Sequence, residues 1–232
     1  MTSSSSSTFL HKILALECTH QCISAAVATP EGVIEETVRE WQRTAESIVP
    51  LISRVLKESG SYLSDIDCLA VSSGPGSFTA LRIGMATAKG IAYGAGFPLV
   101  TVSAMEAMAA AARPHCRAVC LVPVIPARKG ELYYAVYRSE DHGVAEVEKT
   151  AYVSVADFKE ILASHGERCV VVARDISLLG ELCRSAGRDL VQADFFTAAS
   201  LLPIAQRRFM AGDTAVLETV TPDYQQKFRS EK

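Results

Sequence analysis

The strongest constraint on this chain is an order of strand-like and helix-like runs that occurs twice. Ile13–Glu17, Cys22–Ala28 and Val33–Val38 read as strands separated by short polar turns. Ala45, Ile48, Val49, Ile52, Val55 and Leu56 then recur at helical spacing, with Gly60 as a stop. Pro50 fits either the first turn of a helix starting near Ser47 or a bend in a longer one. A strand at Ile66–Val71, a helix at Phe78–Tyr93, a strand at Leu99–Val102 and a helix at Ala104–Ala112 follow. The remainder repeats the order. Strands fall at 118–125, 131–138 and within 144–153, then a helix at 155–162, a strand at 169–173 and a helix at 176–186. A short strand near 190–192 and a helix over 198–210 complete it.

Two successive βββαβαβα units predict an α/β protein with the duplicated ribonuclease H-like layout of actin, Hsp70-type chaperones and sugar kinases. The expected lobes are residues 12–103 and 104–232, which suits a chain of 232 residues. Residues 1–11, with five consecutive serines, read as a disordered tail. A net charge of -3 and a pI near 6.0 exclude a broad basic face that holds nucleic acid unaided. Any RNA contact is then local or supplied by a partner. The apolar run from Ile13 is broken by Glu17 and His20, and no charge-free span of about 20 apolar residues exists. The expectation is a cytoplasmic protein with no membrane contact. Seven cysteines, scattered and lacking a zinc-type pair of pairs, read as reduced thiols, several acting as small hydrophobes.

Ser73-Gly-Pro-Gly-Ser-Phe-Thr-Ala-Leu-Arg-Ile-Gly84 joins a strand to a helix through a tight turn. Ser77 and Thr79 are cap residues, and a helix N-terminus behind such a turn aims N–H donors and partial positive charge at one spot. That arrangement suits a phosphate or carboxylate; it equally suits a plain helix cap with no ligand. Arg82 either faces an anionic group or pairs with a surface acid. The helix that follows carries Gly84, Ala88 and Ala92 at four-residue spacing, and Ala86, Gly90 and Gly94 likewise. Two bands of it therefore lack bulk. One band is enough for packing on the protein's own sheet; the second leaves room for another helix, from this chain or a partner. Trp41 is either an interface anchor or a local staple.

Taken with Ile13-Leu-Ala-Leu-Glu-Cys-Thr19, Thr44-Ala-Glu-Ser-Ile-Val-Pro50 and Ala127-Arg-Lys-Gly-Glu-Leu-Tyr-Tyr134, the glycine run resembles the bacterial TsaB (YeaZ) family. The resemblance covers roughly residues 13–135. It implies a role in placing a threonylcarbamoyl group on the adenosine beside the tRNA anticodon. In that family the protein is a non-catalytic adaptor paired with a homologous TsaD subunit, which carries the metal and the chemistry. A TsaE ATPase joins them, tRNA is met through the complex, and homodimers form through the same N-terminal helices. Carried over, the expected interface residues are Ile48, Ile52, Val55, Phe78, Leu81, Gly84, Met85, Ala88 and Ala92. Glu17, Thr19, Gly74, Gly76, Ser77, Thr79 and Arg82 mark a candidate nucleotide or phosphate cleft. No tightly bound cofactor is expected for this chain, with ATP and magnesium belonging to the assembled complex. Glu17, Thr44, Ala80 and Pro126 stand where the family usually has aspartate, histidine, glycine and aspartate, which weakens nucleotide or metal binding here.

Enzymatic alternatives stay open at this point. The histidines are 11, 20, 115, 142 and 165, and no two are four apart, so the His-x-x-x-His pair of an M22-type metallopeptidase is absent. No Gly-x-Ser-x-Gly elbow marks a serine hydrolase. A self-sufficient actin-like ATPase or sugar kinase would use Glu17 and the 74–79 loop.

Overall fold

A computed structural model describes residues 9–19, 22–39, 44–128, 130–165 and 169–224. Trp41 and residues 1–8 lie outside them. Strands β1 (Ile13–Glu17), β2 (Ile23–Thr29) and β3 (Gly32–Val38) precede helix α1 (Thr44–Glu58). Strand β4 (Cys68–Gly74), helix α2 (Phe78–Ala95), strand β5 (Leu99–Ser103) and helix α3 (Ala104–Ala112) follow. Next come β6 (Cys120–Pro126), β7 (Glu131–Glu140), β8 (Gly143–Ser154), α4 (Val155–Ser164), β9 (Cys169–Ala173), α5 (Gly180–Ser185), β10 (Asp189–Gln192) and α6 (Leu202–Met210).

The strands form two sheets of the same design. The first runs β3-β2-β1-β4-β5, antiparallel across β3-β2-β1 and parallel between β1 and β4. The second, taken from its β8 edge, runs β8-β7-β6-β9-β10 with the same senses, β9 and β10 continuing parallel. This is the duplicated ribonuclease H-like fold, and the three-strand meander followed by crossover strands is its signature in each copy.

The chain forms two compact units. One comprises residues 1–73, 78–102 and 197–222; the other comprises 74–77, 103–196 and 223–232. The expected lobe of 104–232 thus differs from the observed unit, because Thr197–Pro222 packs with the first sheet. Ser24 Oγ accepts the Ala198 N–H at 2.8 Å, and Glu35 Oε1 accepts that of Ala199 at 2.8 Å. Lys89 Nζ donates to the Val220 carbonyl at 3.0 Å. Every residue of β1 and β2 is buried, as expected for strands covered on both faces. On one face, Leu14, Leu16, Val27 and Leu69 pack with Ile48, Leu51, Ile52, Val55, Met85, Ala88 and Ala92 of α1 and α2. The turn at Ala198–Leu201 and α6 cover the other. In the second unit, Val122, Val124, Leu132 and Val171 pack with Phe158 and Leu162 of α4 and Cys183 of α5.

Several expectations change. The tail does not extend to residue 11: Phe9 is buried and the Leu10 N–H donates to Gln206 Oε1 at 3.0 Å. Helix α1 starts at Thr44, so Pro50 lies in its interior on the exposed side. The helix expected from 176 begins at Gly180, because Asp175 accepts the Ser177 N–H at 3.0 Å and its hydroxyl at 2.6 Å, closing a local turn instead. These two bonds hold the Asp175 carboxyl below the usual carboxylate range. The run at 198–210 divides into a 3₁₀ turn and α6, with Pro203 in the first turn of α6. Cys120 and Cys169 are not reduced thiols but a disulfide, because β6 and β9 are adjacent and pair these residues in register. Among the described residues no helix is long and apolar enough to cross a membrane.

Candidate functional site

Helix α2 has two dissimilar sides. Leu81, Gly84, Met85, Ala88 and Ala92 are buried in the first unit. Gly84 is closely packed: a Cβ at this position would lie 1.9 Å from Cys18 Sγ, so the thiol would have to move to admit one. Burial keeps that thiol well above its ordinary pKa, so it acts as a packing group. Phe78, Arg82, Ala86, Gly90 and Gly94, each four residues from the next, form an exposed row. Among the described residues, a Cβ at Gly90 or Gly94 would meet nothing within 4 Å. The unit's own packing, among the described residues, therefore crowds Gly84 and leaves Gly90 and Gly94 open. Phe78 is 43% exposed and Tyr93 is 79% exposed, giving this bare backbone aromatic flanks. The Arg82 guanidinium stacks over the Phe78 ring at 4.0 Å, a partner the sequence reading had not named for it.

Helix α1 lies beside α2. It turns Ile48, Leu51, Ile52 and Val55 into the core, while Val49 is 55% exposed and Pro50 and Ser53 share the open side. Arg54 Nε donates to both Glu36 carboxylate oxygens at 2.8 Å, tying α1 to β3. Of the expected interface residues, only Phe78 reaches the surface. Ile48, Ile52, Val55, Leu81, Gly84, Met85, Ala88 and Ala92 serve the unit's own core instead, and burying each large aliphatic is worth about 1.5–3 kcal/mol. The surface row is Ala86, Gly90 and Gly94, with Tyr93 and Val49 as exposed apolar groups the sequence reading missed. The apolar side chains of Leu81, Met85, Ala88 and Ala92 at helical spacing were the signal that marks the buried side.

The candidate cleft residues are placed as follows. Glu17 ends β1 and is buried; its Oε1 accepts the Thr19 N–H at 2.6 Å and the Thr19 hydroxyl. The carboxylate is thus turned back onto its own hairpin, opposite Ser24 of β2. Thr79 and Arg82 are exposed in the first turns of α2. Gly74, Gly76 and Ser77 belong to the segment that groups with the second unit. Gly74 has φ +106°, a left-handed conformation that favours glycine. In the second hairpin, Glu131 accepts from the Tyr152 hydroxyl, and burial together with that carboxylate raises the tyrosine pKa.

Three of the histidines have local structural partners. His11 is 3.6 Å from Asp67 and edge-on to Phe209, His115 stacks on Phe195, and His165 bridges Glu148 and the Ile161 carbonyl at 2.8 Å each. Among the described residues no three His, Cys, Asp or Glu side chains gather where they could hold a metal ion.

Residues 23–198 match the family model of TsaD, tRNA N6-adenosine threonylcarbamoyltransferase. The tRNA threonylcarbamoyladenosine biosynthesis protein TsaB of Escherichia coli K12 is 32% identical over 92% of this chain and 94% of its own length. A tRNA N6-adenosine threonylcarbamoyltransferase of Moorella thermoacetica is 47% identical, but over 31% of this chain and 20% of its own length. A crystal structure of a Pseudomonas aeruginosa protein described as similar to peptidase YEAZ superposes with a TM-score of 0.81, covering 94% of this chain and all of that one. At 22% identity this likeness shows the fold. The chain belongs to the family of TsaB-type tRNA threonylcarbamoyladenosine biosynthesis proteins.

Proposed function

We propose that this chain is a non-catalytic subunit in the threonylcarbamoylation of tRNA. It pairs through the exposed row of α2 with a homologous TsaD-type subunit that carries the metal and the transfer chemistry. The observation that carries this reading is the open space over Gly90 and Gly94 on a solvent-facing helix. An interior glycine costs about 1 kcal/mol relative to alanine, and no described residue of the unit packs on Gly90 to return that cost. Close approach of a second backbone does so, through dispersion contacts that a Cβ would prevent. Phe78 and Tyr93 beside the row supply aromatic anchors. ATP, magnesium and a TsaE-type ATPase belong to the assembled complex, and tRNA is reached through it. One carboxylate oxygen of Glu17 is taken up by Thr19 within its own hairpin.

Titration of this chain with the TsaD-type protein of the same cell tests the pairing, and a modification assay with and without this chain tests the role. The expected result is a complex that forms with the native chain and modification that depends on it. Equal modification in its absence would sink the proposal. Hydrolysis of ATP by the isolated chain would move the reading to an ATPase.

A further inference from the structure

Cys120 opens β6 and Cys169 opens β9, and the parallel ladder sets them directly opposite. Their Cα atoms are 4.4 Å apart, within the span a disulfide bridges, and the sulfurs are bonded. The same register continues through Leu121↔Val170, Val122↔Val171 and Val124↔Ala173, so the spacing does not depend on the bond. Opening it leaves two thiols facing each other, placed to close again without backbone movement. Access is unequal: Cys169 is buried and Cys120 is half-buried. Cys120 is thus the partner of the pair that a small thiol can more readily approach. Burial pushes the free thiols of Cys68 and Cys183 up to about 12 and about 11, which keeps them protonated and slow to exchange.

We propose that Cys120 and Cys169 form a reversible redox lock on the second unit, set by the ambient pool of low-molecular-weight thiols. In the opening direction, a glutathione thiolate attacks Cys120 Sγ, the S–S bond breaks, and Cys169 leaves as a thiolate that takes up a proton. A second glutathione thiolate attacks the glutathione sulfur of the mixed disulfide. This releases glutathione disulfide and the Cys120 thiolate, which is protonated in turn. Two glutathione molecules are oxidised as one protein disulfide is reduced, and closure is the reverse. The bond spans a sequence separation of 49 residues, enclosing β7, β8 and α4, so closing it restricts the unfolded chain and stabilises this unit.

The full chain is equilibrated over a series of glutathione to glutathione-disulfide ratios, then quenched, differentially alkylated and mapped by mass spectrometry, with melting curves in parallel. The expected outcome is that Cys120 and Cys169 change together from protected to alkylated within the series. Reduction then lowers Tm by about 5–10 °C, the order expected for losing a long-loop disulfide in a chain of this size. Cys120→Ser, at the half-buried position, abolishes the redox dependence of Tm. Cysteines that are alkylated at every ratio, or protected at every ratio, overturn the proposal, and this readout needs no variant. A Tm shift that persists in Cys120→Ser, or no shift in the native chain on opening, overturns it as well.

Discussion

Gly84 and Gly90 are six positions apart on one helix and meet opposite conditions. Behind Gly84 the Cys18 sulfur occupies the space a Cβ would need, whereas beyond Gly90 no described residue lies within 4 Å of one. Two absences of a side chain thus have different causes. The first reflects close packing against Cys18, and the second is unexplained by any described residue of the unit. The difference teaches that small residues on a helix carry information about partners only after the protein's own contacts have been subtracted. The row through Ala88 disappears under that subtraction, and the row through Gly90 survives it.

Substitutions on the two sides break or sharpen this contrast. The largest effect is expected for Ile52→Ala on the core side of α1, a loss of about 2–5 kcal/mol in urea unfolding. A loss below ~1 kcal/mol would mean the side chain is not held in the core. Gly84→Ala follows, destabilising by about 1–3 kcal/mol through overpacking against Cys18; Gly84→Leu is therefore no clean probe of pairing. Gly90→Leu should leave the melting curve near native and weaken titration with the TsaD-type subunit by roughly 10–100-fold, about 1.4–2.7 kcal/mol. Unchanged affinity would remove α2 from the interface. The smallest effect has the opposite sign: Gly90→Ala should stabilise the isolated chain by up to about 1 kcal/mol. An equal loss at Gly90 and Gly84 would erase the distinction between the two rows.

Much of the architecture was legible because it is local and periodic. The meanders, the crossover strands and α2 follow from alternation, helical spacing and the glycine turn. Which side of α1 and α2 is buried was legible only in part. Four-residue spacing defines both rows of α2 equally, and the deciding signal was the company of Leu81 and Met85. The Gly84–Cys18 contact joins a helix to a distant hairpin, and the disulfide depends on the register of β6 against β9. Neither leaves a mark in the spacing. The 197–222 segment was assigned by chain order, although it is held by side chains of β2 and β3 that had no reason to stand out.

That returning segment bears on how the protein is made. The first unit includes residues 197–222, while residues 103–196 belong to the second. A ribosome finishes β1 to β5 long before the piece that covers their second face leaves the exit tunnel. At roughly 5–20 residues per second, the wait is on the order of 5–20 s. Through that interval the nascent lobe presents a bare apolar sheet. Chaperone engagement during synthesis, and intolerance of a stop codon near Phe196, follow from the path of the chain alone.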